Sequence, residues 1–113
     1  MNSRLALNQK EEQAVKEFVS AIKQKLKDHI LRTTIFGSRV RGDYSLDSDI
    51  DILIVLNERS KDLIDSLYEN LLDIELEYDS KISLTIFSRT EYQQNIEAHT
   101  PFMESLASEG VTL

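Results

Sequence analysis

The spacing of apolar positions changes along the chain, and each change marks an element. Val15, Phe18, Val19, Ile22, Leu26 and Ile30 recur every three or four residues, the stripe of a helix that covers a sheet and turns Lys and Glu outward. Asn8, with Glu11 three positions on, has the form of a reciprocal cap at its start. Leu31 to Phe36 ends in Thr33-Thr34-Ile35-Phe36, β-branched and aromatic residues that favour a strand, and Gly37 stops it. Ile50 to Leu56 is almost unbroken apolar sequence after Asp51. A strand of that kind is covered on both faces and belongs in the middle of an α/β sheet.

Ser60 caps a second helix, with Leu63, Ile64, Leu67, Leu71 and Leu72 as its buried stripe and Asp62, Asp65, Glu69 and Asp73 on its wet face. The acidic stretch Asp73 to Asp79 closes that helix and reads as solvated. Lys81 to Phe87 alternates Ile82, Leu84 and Ile86 with Ser83 and Thr85, a strand with one covered face. Ser88-Arg89-Thr90-Glu91 is a second capping box and opens a helix through Ile96. Pro101 breaks that helix, and Phe102 to Ala107 supplies a last short helical turn before Gly110. The order predicts an α/β fold, a small mixed β-sheet flanked by helices, with residues 1–113 as a single domain.

Composition narrows the chemistry. The charged fraction of 29% and hydrophobic fraction of 41% are those of a soluble globular protein. Cysteine is absent, so a bound metal must be held by oxygen or by His29 and His99, an inventory that suits a hard cation such as Mg2+. The two histidines have no partner at ligand spacing and read as surface or cap residues. No apolar run reaches the length of a membrane span and no export signal opens the chain, so the expectation is a cytoplasmic protein without a membrane partner. The net charge of −7 opposes direct binding to a nucleic-acid backbone, which needs a basic surface. Nothing in these residues sets the oligomeric state, and a homo-oligomer stays open.

The segment between the first two strands, Gly37 to Asp49, is polar and holds two of the three glycines. Gly37 allows a sharp turn and close approach of a phosphate to the backbone. Ser38 adds a hydroxyl beside amide N–H groups, an anion cradle at the start of a short helical turn. Arg39 and Arg41 follow with positive charge, and Gly42 and Asp43 end the turn. Asp49 and Asp51, two apart in a strand, point to the same face about 6–7 Å from each other. Such charges repel by about 2 kcal/mol at an effective dielectric near 20, and a divalent cation is the natural compensation. Tyr44 fits either stacking on a base or packing, while Asp43 and Asp47 read as solvated turn residues. Taken singly, a Gly-Ser is commonly a plain turn and an Asp-x-Asp a solvated strand end; their spacing in a strand-loop-strand setting is what makes them a site.

A strand ending in Phe36-Gly37-Ser38 and followed by Asp49-Ile50-Asp51-Ile52 resembles the signature of the DNA polymerase β-like nucleotidyltransferase superfamily. The whole segment FGSRVRGDYSLDSDIDILIV is similar to the minimal nucleotidyltransferases, often encoded beside HEPN-domain partners. Pro101-Phe102 and Glu109-Gly110-Val111 resemble the end of that family. The resemblance implies a polymerase β palm-like fold and transfer of a nucleoside monophosphate, most simply AMP from ATP, to a hydroxyl acceptor. It also implies Mg2+ on Asp49 and Asp51, which would be the catalytic pair, with the nucleotide's phosphates on Gly37 and Ser38, and Arg39 or Arg41 neutralising pyrophosphate. The acceptor it implies is a HEPN toxin, with this chain as antitoxin. Many members of the superfamily carry a third carboxylate on a later strand, where this chain has Ser83. Asp79 or Glu77, a partner protein, or loss of activity would each answer that gap. The alternative reading is a non-catalytic nucleotide-binding subunit that neutralises its partner by binding; transfer to a small molecule such as an aminoglycoside ranks last, for want of a second domain.

Overall fold

The computed structural model describes residues 6–42 and 48–113. The amphipathic stripe near the N-terminus forms α1 (Gln9–Leu26). Its reciprocal cap is present, with the Glu11 N–H donating to Asn8 Oδ1 at 2.7 Å and the Asn8 N–H to Glu11 Oε1 at 3.0 Å. Ile30, expected on that helix, instead begins β1 (Ile30–Phe36). The helix ends at Leu26, and Ile30 takes a place opposite Leu56 in the ladder. A spacing of four cannot separate the next helical turn from the first residue of a strand.

The described residues then run through α2 (Ser38–Arg41), β2 (Ile50–Leu56), α3 (Lys61–Tyr78), β3 (Ile82–Ser88), α4 (Arg89–Glu97), α5 (Pro101–Glu109) and β4 (Val111–Thr112). Ser60 caps α3 and Ser88 caps α4 with a full box, as the sequence predicts. Pro101 starts α5 rather than ending α4: Thr100 accepts from the Met103 N–H, and proline fills the first position, where no N–H is needed. The preceding helix has already closed through Ala98 and His99, the latter at φ 51°. The sequence does not show β4, which pairs only with Thr34 and Ile35 and is too short to have a period.

Four strands make one mixed sheet in the order β3-β2-β1-β4. β2 lies antiparallel to β1 and parallel to β3, which it reaches through α3. Alternation along β2 sends Ile50, Ile52, Ile54 and Leu56 to one face, where they pack with Phe18, Ile22 and Leu67 of α1 and α3. Leu53 and Val55 go to the other and meet Met103 and Leu106 of α5. Burying each such side chain contributes about 1.5–3 kcal/mol, so both layers are anchored by the same central strand. In α3 the buried residues are Leu67, Asn70, Leu71 and Ile74, whereas Leu72, expected in the stripe, is exposed. Adjacent helical positions lie 100° apart, so Leu71 and Leu72 cannot share one narrow face. Among the described residues no helix is long and apolar enough to cross a membrane.

Candidate functional site

Asp51 stands one residue into β2 on the face that α4 and α5 cover, the position that farther along the strand is taken by Leu53 and Val55. Its neighbours in register are Phe36 of β1 and Ser83 of β3. Phe36 is the last residue of its strand, and the chain turns away at once through Gly37, at φ 86° and ψ −157°, a conformation open essentially only to glycine. A Cβ at Gly37 would run into the Asp51 carboxylate. The turn and the acid are therefore in direct apposition, although thirteen positions separate them in the chain.

From Gly37 the chain enters α2, whose first turn has no side-chain cap. The Val40 and Arg41 N–H groups both return to the Gly37 carbonyl, at 3.0 and 3.1 Å, and Gly42 at φ 89° closes the turn onto the Ser38 carbonyl. Gly37, Ser38, Arg41 and Asp51 line one cleft of about 490 Å3. Thr85 of β3 forms its floor with them, and Phe102, Ser105 and Glu109 of α5 make the facing wall. Phe102 is fixed there by edge-on contacts with Phe36 and Phe87, at 5.3 and 5.9 Å between ring centres. Arg41 reaches across to Glu109 at 3.0 Å, joining the turn to the end of α5.

The two arginines have different surroundings. Arg39 is buried: its Nη1 donates to Glu11 Oε1 at 2.8 Å and to the Ala6 carbonyl at 3.1 Å, and its Nη2 to the Ser48 carbonyl at 3.0 Å. It ties α1, the turn and the approach to β2 into one unit. Burial pushes the Glu11 carboxyl up, but the Arg39 hydrogen bond, the Asn8 N–H and the Arg39 charge outweigh it and hold Glu11 below its usual range. Arg41, by contrast, is half exposed at the cleft.

Asp49 lies just before β2 and is exposed. Partial burial raises the Asp51 carboxyl above its ordinary value, the negative charge of Asp49 raises it further, and Arg41 opposes both. Two carboxylates coupled in this way, one of them partly desolvated, are suited to a hard dication, which would remove the repulsion and favour both ionised forms. The donor set thus fits Mg2+, with the remaining ligands coming from elsewhere: among the described residues no group of three or more Asp, Glu, His or Cys gathers at metal-binding distance. Asp79 serves as the left-handed C-cap of α3 and Glu77 is exposed on that helix. No acid occupies β3 beside Asp51, where Ser83 and Thr85 stand. His29 and His99 are exposed. Asp43, Tyr44 and Asp47 lie outside the described residues.

Thr85, Phe102, Ser105 and Glu109 are the lining residues that sequence spacing did not single out. The signal available for them was weak: Pro101 marked a boundary, but not that the next helix would fold back over the strand ends. A larger cavity, about 720 Å3 between α1 and Val111–Leu113, holds none of the predicted residues.

The chain is similar to known proteins. Residues 15–108 match the family model described as a nucleotidyltransferase domain. Two proteins of Methanocaldococcus jannaschii, both provisionally named protein adenylyltransferases, are similar to the chain. One is 34% identical over 101 residues, covering 86% of this chain and 92% of that protein. The other is 58% identical over 45 residues, 40% of this chain, and the match spans 45% of that relative's length. A crystal structure from Sulfolobus solfataricus, provisionally titled a nucleotidyltransferase, superposes with a TM-score of 0.54 at 23% identity. It covers 88% of this chain and 76% of that one, and supports the fold alone.

Proposed function

Since the chain belongs to the nucleotidyltransferase-domain family, we propose that it transfers AMP from ATP to a hydroxyl on a protein acceptor and releases pyrophosphate. The observation that carries this reading is the apposition of the Gly37–Ser38 turn with Asp51 in a cleft that also holds Arg41. Asp49 and Asp51 would hold Mg2+, which when bound supplies charge neutralisation on the phosphates. The Ser38 hydroxyl and backbone N–H receive the β- and γ-phosphates, at the turn whose Gly37 leaves room for the Asp51 carboxylate. The acceptor oxygen attacks the α-phosphorus and gives its proton to solvent, the bond to the bridging oxygen breaks, and Arg41 at the cleft neutralises the pyrophosphate that leaves. Arg39 takes a bracing role in this scheme, since it is buried and its two Nη atoms donate to Glu11, Ala6 and Ser48. The acceptor suggested by family resemblance is a HEPN-domain toxin, in a cytoplasmic pair in which residues 1–113 act as one domain.

A second reading is favoured by Ser83 in register with Asp51. Without an acid there, the acceptor hydroxyl lacks a ready proton acceptor, a contribution of about 10²- to 10⁴-fold. The domain would then bind nucleotide and neutralise its partner by docking alone. Incubation with α-phosphate-labelled ATP, Mg2+ and the product of the neighbouring gene separates the two. Label on the partner, lost in Asp49→Asn, supports transfer; a stable complex without label supports the docking subunit.

A further inference from the structure

The outer face of α3 carries an apolar row that the protein itself does not cover. Tyr68, Leu72 and Leu76 are 48%, 56% and 75% exposed. Single exposed leucines are ordinary on a protein surface. These three, however, are spaced by four on one helix, so they form a continuous ridge that flanks the buried stripe of Leu67, Leu71 and Ile74. One position after each member comes an acid, Glu69, Asp73 or Glu77, and these make a second row parallel to the first. Among the described residues no cation stands within ion-pair distance of those three. The basic residue at the start of α3, Lys61, is engaged by Asp65 at 2.9 Å.

We propose that this face docks a second protein through an amphipathic helix whose apolar stripe is edged by lysine or arginine. The ridge gives the shape, since rows spaced by four on one helix pack into the grooves of another. The acid row gives the sign of the partner's charge, because a basic edge would meet carboxylates that have no ion-pair partner among the described residues. Those carboxylates also argue against a second copy. In a two-fold antiparallel pairing of α3 with itself, the acid row of one copy lies against that of the other, and a chain of net charge −7 offers no relief. The proposal does not depend on what the cleft does.

The probe is a synthetic helix of about 20 residues, long enough to keep its helical form. It carries leucine every fourth position with lysine in the adjoining row, and the control peptide carries glutamate there. Binding to the whole chain is followed by fluorescence anisotropy, with circular dichroism confirming that each variant folds. The lysine peptide binds the parent chain and the glutamate peptide does not. Leu72→Ser with Leu76→Ser weakens binding by roughly tenfold or more. Glu69→Gln, Asp73→Asn and Glu77→Gln together weaken it and flatten its salt dependence. The proposal is overturned if the lysine peptide fails to bind, or if it binds both sets of variants like the parent. It is equally overturned if the pure protein is a dimer that the Leu72→Ser, Leu76→Ser pair converts to a monomer.

Discussion

On the side of the sheet facing α1 and α3, β2 contributes Ile50, Ile52, Ile54 and Leu56, all with 0% exposure. On the side facing α4 and α5 it contributes Leu53 and Val55 and, at its head, Asp51. Both sides begin from the same alternation, yet one is filled with aliphatic carbon from end to end. The other gives up its first position to a half-buried carboxylate beside a glycine whose Cβ, if it had one, would meet that carboxylate. The first arrangement lowers the free energy of the fold. The second raises it, as burial and the neighbouring Asp49 charge push the Asp51 carboxyl up.

The contrast can be broken most severely on the apolar side. Ile52→Ala leaves a cavity in the fully packed layer and should cost about 3 kcal/mol, read as a lower urea midpoint at unchanged slope. A slightly smaller loss, about 2 kcal/mol, is expected for Arg39→Met, because it takes the guanidinium donors away from Glu11 and from the Ala6 and Ser48 carbonyls. That effect depends on pH in a defined direction. Glu11 is held below its ordinary value of 4.5, so its contribution is complete above that value and disappears as pH falls through the depressed one. The stability difference between parent and Arg39→Met should therefore narrow in acid.

On the polar side, Gly37→Ala forces a Cβ toward Asp51 at a positive φ and should cost about 1–2 kcal/mol. The smallest effect has the opposite sign. Asp51→Asn removes a repelled, partly desolvated charge and should stabilise the protein without ligand by at most about 1 kcal/mol at neutral pH. Because the native carboxyl holds its proton more tightly than the unfolded one, the advantage vanishes as pH falls below the ordinary carboxylate range. A destabilised Asp51→Asn, by urea titration at pH 7, would place Asp51 among the supports of the fold instead.

Much of the layer arrangement was legible because it rests on periodicity and local caps: Asn8 with Glu11, Ser88 with Glu91, and the unbroken run of β2. The turn and the acid pair were legible as residue types. What was not legible depends on which way a side chain faces. Arg39 and Arg41 are two apart on one helical turn and so point to widely separated directions; only the fold shows that Arg39 looks toward Glu11 and Arg41 toward Glu109. Leu71 and Leu72 pose the same problem on α3. Phe102 and Glu109 stood out only by family resemblance and Ser105 not at all, because all three reach the cleft through tertiary packing, which no local pattern encodes.

The central claim is that Asp49 and Asp51 together hold a dication against a triphosphate at the Gly37 turn. Titration calorimetry of ATP with Mn2+ tests it on the parent, Asp49→Asn and Asp51→Asn proteins. The account predicts saturable uptake by the parent that requires both metal and nucleotide, and at least roughly tenfold weaker uptake by either variant. No uptake by the parent, or equal uptake by all three, would contradict it.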